Sequence, residues 1–319
     1  MHTIDLDPRT RSLLEAALLA PSSHNTQPWR FAVLPDGIAL YADRTRALPV
    51  NDPHDRELLI SCGCALLNLR LAAAREGLKA AVSIRPDKDD EDHLATVTFA
   101  PPSDTVDRDA ALHAALKERR TYRKRFAQQD VPEAALAELQ STADEEGAWL
   151  QILPEESTRQ DVATLVAKGD AAQWGDVSWR RELAQWMHPR REGDGLAVPG
   201  LVAPLARTVV RTFDMGAGVG ARDRELADES PVLAVLGTGR DDPAAWLAAG
   251  QALERVLLTA CRHGLQASYL NQPIQVASLR PKLQRLTGRA GHPQILLRLG
   301  FPIEEVPAAP RRALDEMLD

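Results

Sequence analysis

The stretch Ala20-Pro21-Ser22-Ser23-His24-Asn25-Thr26-Gln27-Pro28-Trp29-Arg30-Phe31 stands between a helical pattern and a strand pattern. Before it, apolar residues between positions 11 and 20 recur at helical spacing, and Pro21 cannot continue that helix because it has no backbone N–H. After it, residues 29–34 read as a strand. The stretch therefore predicts a polar turn at the end of a helix. Serine and asparagine side chains in such a turn either satisfy free backbone groups or bind a planar polar ligand.

The composition is that of an ordinary globular protein. The 319 residues are 44% apolar and 26% charged, which is enough for a large core. The net charge of -7 excludes the global positive field that nucleic acid or an anionic membrane would need. The first seven residues lack the basic and apolar regions of a signal sequence, and we expect no later run to reach the length of a membrane span. These features predict a cytoplasmic protein with no nucleic-acid or membrane partner.

Cysteine and histidine patterns predict neither a disulfide nor a metal site. Cys62, Cys64 and Cys261 lie in apolar helical patterns, which indicates buried thiols in a reducing compartment. Cys62 and Cys64 are two residues apart, so a helix points their sulfurs to different faces. The eight histidines show no ligand spacing, and neither G-x-G-x-x-G nor a P-loop is present.

An internal repeat organises the chain. A shift of 187 positions aligns residues 63–80 with 250–267 and gives nine identities in eighteen positions. Each copy contains a long apolar helix, and the first, Arg56 to Glu76, is apolar on nearly all sides and should be buried. We predict an α+β fold of two tandem repeats, residues 1–105 and 106–319, that form an intramolecular pseudo-dimer around buried central helices.

An insertion without a counterpart lies at about residues 170–224 of the second repeat. It carries Trp174, Trp179 and Trp186 and a stretch rich in proline, glycine and alanine. A long irregular insertion in a compact protein is either a surface excursion or a lid over a binding site. Tryptophan side chains would suit stacking on a ring.

A basic run opens the second repeat. Residues 119–125, Arg-Arg-Thr-Tyr-Arg-Lys-Arg, hold five arginines and lysines in seven positions of an acidic protein. Such a run usually forms a solvated basic face. It can also form an anion site, because arginine forks match phosphate oxygens bidentately.

Both motifs together resemble a known family. A-P-S-S-x-N-x-Q-P-W at 20–29 and R-R-T-x-R at 119–123 resemble two signatures of the FMN-dependent nitroreductase superfamily. The fused arrangement, with L-L-I-S-C-G at 58–63, resembles its Acg-like branch. The resemblance implies a nitroreductase-like fold, FMN as cofactor and oxidoreductase activity. In the reaction that it implies, NAD(P)H passes hydride to flavin N5 and leaves. A nitro compound, a quinone or a similar small acceptor then takes the electrons. Family members are homodimers, so this chain would be a monomer that acts as an internal dimer.

The resemblance also assigns flavin contacts. The turn lies against the flavin, Arg119 and Thr121 hold its phosphate and ribityl chain, and Arg123 lies near N1 and O2. The backbone at Asn271 and Gln272 faces N5 and O4, although L-N-Q-P stands where the family has P-I-E-G. The complete set of expected cofactor-binding residues is Ser22, Ser23, His24, Asn25, Gln27, Arg119, Arg120, Thr121, Arg123, Asn271, Gln272, Gly288 and Arg289. No catalytic side chain is expected.

A second, symmetry-related site should be empty. The corresponding turn reads Ala143-Asp144-Glu145-Glu146-Gly147, and three carboxylates would repel a phosphoflavin. One FMN per chain is therefore predicted. Two alternatives stay open: a protein that binds or stores FMN without turnover because the insertion covers the flavin, and a flavin-cleaving or reductively dehalogenating relative.

Overall fold

The computed structural model describes residues 6–101, 106–189, 193–198 and 203–319. Its helices are α1 Pro8–Ala17, α2 Arg56–Arg75, α3 Val106–His113, α4 Glu133–Glu145, α5 Glu156–Gly175, α6 Val177–Gln185, α7 Ala203–Thr212, α8 Gly216–Asp228, α9 Pro243–Arg262, α10 Gln272–Gln275 and α11 Arg280–Thr287. Its strands are β1 Trp29–Leu34, β2 Gly37–Ala42, β3 Lys79–Ile84, β4 His93–Ala100, β5 Trp149–Ile152, β6 Met187–Pro189, β7 Leu196–Val198, β8 Val232–Thr238, β9 Gln266–Tyr269 and β10 His292–Gly300.

Two four-stranded sheets share one plan. The first has the order β1-β2-β4-β3 and the second the order β5-β8-β10-β9. All neighbouring strands in both sheets are antiparallel. In each sheet a long helix, α2 or α9, joins the second strand to the third along the chain. The 187-residue shift found in the sequence therefore coincides with a repeated topology.

The central helices α2 and α9 cross at two glycines that the repeat makes equivalent. A Cβ atom on Gly63 would lie 2.3 Å from the carbonyl oxygen of Leu247, and one on Gly250 would lie 2.0 Å from that of Ile60. Only glycine permits backbones to approach so closely. Both helices are buried along almost their whole length, as the sequence predicted, and belong to one hydrophobic core that includes residues of both sheets.

The helix α2 corrects one expectation. By length and composition it could cross a membrane, since its most apolar window has a mean hydropathy of 1.5. That window is 94% buried within the chain, which is characteristic of a core helix. A helix packed on every side has no polar face to interrupt its apolar run.

In its described part the insertion consists of helices and the short parallel pair β6 and β7 rather than irregular chain. It fills the whole connection between β5 and β8, so the expected limits of 170 and 224 fall inside helices α5 and α8. Helix α5 packs one face against α8, α10 and α11, and this face includes Gly169, Asp170 and Gln173, so its apolar stripe is interrupted in the sequence. The repeat boundary at 105/106 adjoins residues 102–105, which lie outside the described part, and it stays a prediction.

Candidate functional site

A cavity of about 410 Å³ lies where the two repeats and the insertion meet. The first repeat contributes Ser22 to His24 and the start of α2, and the second contributes Thr121, Arg123 and the segment around Asn271. The insertion supplies a wall from α5, α6 and α8. The two halves thus meet at one composite cavity.

The turn that precedes β1 is held in a strained backbone conformation. His24, Asn25 and Gln27 have φ angles of 49°, 56° and 52°, in the left-handed region that residues other than glycine rarely adopt. Such strain persists only where the surroundings fix it, and it is concentrated at functional sites. The Ser22 hydroxyl accepts a hydrogen bond from the Gln27 backbone at 2.9 Å, and Gln27 Oε1 accepts one from the Arg312 backbone at 3.0 Å.

The turn residues divide into two groups. Ser22, Ser23 and His24 line the cavity. Asn25 and Gln27 do not: Asn25 Nδ2 donates to the carbonyl of Pro310 at 3.1 Å, and Gln27 is fully buried. These two side chains fix the turn from behind.

His24 brings a free nitrogen to the cavity. Its Nδ1 is buried and has no hydrogen-bond partner among the described residues. Burial lowers the pKa of His24 to about 4, with Arg123 acting in the same direction and Glu57 opposing it. The imidazole is therefore neutral at pH 7 and can pair with a ligand.

Arg123 brings an unpaired cation to the cavity. It lines the cavity, and within the described ranges its guanidinium makes no hydrogen bond or ion pair. Desolvation lowers its pKa, and Tyr269 partly offsets this. An unpaired guanidinium at a cavity is suited to bind an anionic or carbonyl oxygen.

The start of α2 supplies polar groups that the sequence interpretation missed. Asn51 lines the cavity, its Oδ1 accepts from Trp179 Nε1 at 2.9 Å, and its buried Nδ2 has no partner in the described chain.

Two carboxyl groups lie close to this amide along the chain. Glu57 is buried and accepts from Ser23 at 2.7 Å and from Gln275 at 3.0 Å. Burial and Glu57 raise the pKa of Asp52 to about 7. The sequence feature that could have revealed these residues is the polar loop directly before the buried helix α2.

The second repeat's loop reaches the cavity as expected. Asn271 and Gln272 both line it. Asn271 Oδ1 accepts from the Leu296 backbone at 3.0 Å, so this side chain anchors the loop to β10. Gln272 Nε2 donates to Asp170 at 3.1 Å and to Asp223 at 2.8 Å.

Besides Asn25 and Gln27, four more of the expected residues lie away from the cavity. Arg119 is buried beside Glu254, with 3.5 Å between Nε and Oε1, and Arg120 donates to the carbonyls of Lys117 and Arg119. Gly288 ends α11 in a left-handed conformation, with φ 65°. The guanidinium of Arg289 lies 5.6 Å from the ring centroid of Trp149. The Thr-Gly-Arg segment is thus a helix end followed by a cation–π contact.

Arg311 was missed in the sequence. It donates to Asn25 Oδ1 at 3.1 Å and to the carbonyl of Leu19 at 2.9 Å, and Arg119 donates to the same carbonyl at 3.2 Å. Desolvation lowers the pKa of Arg311 to about 10, and Arg119 acts in the same direction. The Nε atoms of both arginines have no hydrogen-bond partner among the described residues. No pattern near the C-terminus marks this pairing, because the two residues are far apart in sequence.

Ion pairs occupy the region of the degenerate turn. Glu146 accepts from Arg70 at 2.6 Å and from Arg255 at 2.7 Å, and Arg255 also pairs with Asp109 at 2.6 Å. These carboxylates are committed to arginines of the two central helices.

The buried cysteines match expectation. Cys62 and Cys64 are buried free thiols, as is Cys261. Cys62 Sγ contacts the Pro28 carbonyl and Cys64 Sγ that of Gly250, so the two sulfurs do point to different faces of α2.

Comparison of the sequence with known proteins identifies the family of this chain. The Nitroreductase family profile matches residues 7–51 and 116–301, and the chain belongs to this family. Within it the chain falls in the Acg-like branch. The Mycobacterium tuberculosis (strain ATCC 25618 / H37Rv) protein named "Putative NAD(P)H nitroreductase Rv3131" is 35% identical over 320 residues, covering 97% of this chain and 90% of the relative.

A second relative from the same strain, named as an NAD(P)H nitroreductase, acg, is 31% identical over 314 residues, or 96% of this chain and 94% of the relative. Among solved structures, that of oxidized iodotyrosine deiodinase bound to FMN and 3-iodo-L-tyrosine is similar at a TM-score of 0.44 and 15% identity, covering 63% of this chain and 95% of the other.

Proposed function

We propose that this protein is an FMN-dependent oxidoreductase that uses NAD(P)H to reduce nitro compounds, quinones or similar small acceptors. The observation that carries the proposal is the unpaired Arg123 guanidinium in a cavity that it shares with the strained turn at Ser22–His24. Membership of the nitroreductase family and the names of its mycobacterial relatives support the activity.

The residues present fit FMN. A volume of about 410 Å³ lies in the range of cofactor sites. Unpartnered polar atoms on His24 and Asn51 can pair with donors and acceptors at the edge of a flavin ring. Ser22 and Thr121 bring hydroxyls suited to a ribityl chain.

When bound, FMN would supply the redox chemistry, and the protein would supply binding, orientation and electrostatics. Arg123 would hold negative charge at the polar edge of the ring. Trp174 and Trp179 form an apolar part of the wall that limits water. No acid or base side chain is required in this scheme.

The phosphate end is assigned to Arg119 and Arg311. They are buried neighbours behind the turn, outside the residues that line the cavity. Neither Nε has a hydrogen-bond partner among the described residues, although Arg119 Nε lies 3.5 Å from Glu254 Oε1 in an ion pair. Charge-assisted hydrogen bonds to phosphate are among the stronger polar contacts in proteins. Arg311 thereby replaces Arg289, which the resemblance placed among the cofactor-binding residues.

The two repeats, residues 1–105 and 106–319, would together supply what two subunits supply elsewhere in the family. We infer a monomer that acts as an internal dimer, located in the cytoplasm.

A second candidate function is FMN binding without turnover. It is favoured by one observation: α5, α6 and α8 of the insertion line the cavity. A wall in this place would shield the flavin from nicotinamide.

Anaerobic mixing with excess NADH or NADPH separates the two functions. We expect the yellow holoprotein to bleach within seconds, whereas a storage protein would stay yellow. Arg123→Ala should weaken FMN by about ten- to a hundredfold and lower the flavin's reduction potential. The matched control is Lys124→Ala, since Lys124 is exposed and pairs with Glu304. Equal FMN affinity and potential in both variants would contradict the assigned role of Arg123.

A further inference from the structure

One wall of the cavity carries two aspartates that share a single amide. Gln272 Nε2 donates to Asp170 Oδ1 at 3.1 Å and to Asp223 Oδ2 at 2.8 Å. All three residues line the cavity. The close approach depends on Gly169, where a Cβ atom would lie 2.6 Å from Gln272 Cβ. The scheme for the flavin uses neither aspartate.

Around Asp170 this wall offers acceptors, whereas the nearby cations Arg222 and Arg298 act on Asp223. Asp170 is only 2% exposed, and its Oδ2 has no hydrogen-bond partner among the described residues. The Gln272 amide cannot turn round, because its Nε2 is fixed between two carboxylates, so the unpartnered Oε1 can only accept. Two open acceptors in contact with a carboxylate pair suit a ligand with several donor hydrogens.

Aromatic rings stand beside these acceptors. Asp170 and Trp174 are four residues apart on α5 and share one face of the helix. Trp179 lines the same cavity, and its ring packs edge to face against Trp174 at 5.4 Å. A carboxylate next to tryptophan rings is a suitable environment for an ammonium group.

The two aspartates, Asp170 and Asp223, have different charged neighbours. Arg222 and Arg298 also line the cavity and act on Asp223, whereas within the described chain the only charged group that acts on Asp170 is Asp223. Burial and the Asp223 charge raise the pKa of Asp170 to about 7. A buried carboxyl without a cation is expensive to ionise, and a bound cation would remove that cost.

We propose that Asp170, with Gln272 Oε1 and Trp174, forms a subsite for a protonated amine carried by the molecule that enters the cavity. The claim that the amine belongs to the electron acceptor rests on the proposed oxidoreductase function. The claim that the cavity binds a protonated amine rests only on the residues of this wall.

A matched pair of probes tests the subsite. 4-Nitrobenzylamine, protonated at pH 7, and the neutral 4-nitrobenzyl alcohol differ by one charged group. Each is titrated calorimetrically into the purified full-length protein, whose flavin content is recorded separately. We expect the amine to bind about tenfold or more tightly than the alcohol.

Asp170→Asn should reduce this preference to within about twofold and leave the affinity for the alcohol unchanged. Asp161→Asn, an exposed site on the same helix, is the control and should keep the preference. Equal binding of both probes by the wild type, or a preference that survives in Asp170→Asn, would overturn the proposal.

If Asp170→Asn does not fold, Asp223→Asn tests the subsite instead. The preference for the amine should then fall at least threefold, and an unchanged preference counts against the subsite. Absence of FMN would overturn the oxidoreductase proposal alone, because the binding preference is measured independently.

Discussion

Single residues of one motif have different surroundings. Arg119 and Arg123 belong to the same R-R-T-x-R string, yet Arg119 is buried beside Glu254 and Arg123 faces the cavity unpaired. The sequence predicted that both bind the cofactor, because a motif records residue types and spacing. It could not show that Glu254, on the second central helix, would be buried against the first arginine. Such partners are set by tertiary packing.

Arg119→Ala is expected to destabilise the protein even without flavin. Glu254 is fully buried, and removal of its cation leaves a carboxylate whose pKa burial already raises. Loss of one partner of a buried ion pair costs about 3 to 5 kcal/mol. Urea unfolding of the apoprotein measures this, and Glu254→Gln in the same chain should restore most of the loss. Unchanged stability in the single variant would mean that Arg119 serves the ligand alone.

Arg311→Ala distinguishes a phosphate contact from a structural one. We expect it to weaken FMN by about ten- to a hundredfold and riboflavin much less, because riboflavin has no phosphate to lose. Arg289→Ala is the control, since Arg289 lies on the Trp149 ring. Equal losses for the two flavins would show that Arg311 acts only by positioning Asn25.

Helix packing sets the geometry of the site at the next scale. Because α2 and α9 cross at Gly63 and Gly250, the turn of the first repeat and the loop of the second come to one cavity. The sequence predicted these helices correctly because their apolar pattern and repeat identities are local properties. It predicted an irregular insertion where α5 to α8 lie, because polar residues and glycines such as Gly169, Asp170 and Gly220 stand on the buried faces of these helices and interrupt the apolar stripe on which such a prediction depends.

Gly250→Ala tests the crossing. The added Cβ would lie 2.0 Å from the Ile60 carbonyl oxygen, so the helices must separate, at a cost of about 3 kcal/mol or more. Gly218→Ala, in open space on α8, should instead be neutral or stabilising by up to about 1 kcal/mol. Denaturant midpoints of both variants measure the contrast. Similar midpoints would mean that the two helices are not in tight contact.

Asp52 at the start of α2 makes stability depend on pH. Its folded-state pKa of about 7 lies above the ordinary value of 3.8, so the folded state holds a proton that the unfolded chain has lost. The free energy of unfolding should therefore fall as pH rises from about 4 to about 7, and then level off. Asp52→Asn should flatten this slope by up to about 1 kcal/mol per pH unit, while Asp36→Asn in the exposed hairpin turn should not. An identical slope in wild type and Asp52→Asn would show that Asp52 ionises normally.

The whole molecule combines a symmetric frame with an asymmetric pair of sites. The two sheets share one strand order, and the central helices cross at equivalent glycines. One junction holds the cavity, while Glu146 of the other turn is committed to ion pairs with Arg70 and Arg255. The acidic composition of the second turn was visible in the sequence. Its arginine partners were not, because they come from two helices distant along the chain.

Flavin stoichiometry tests the central claim, a single composite site in a fused pair of repeats, most directly. Native mass spectrometry of the reconstituted holoprotein gives the number of FMN molecules and of chains in each species. We expect one chain with one FMN, and the same single equivalent when the flavin is released with acid and quantified. Two FMN per chain, or FMN found only in species with two chains, would contradict the account.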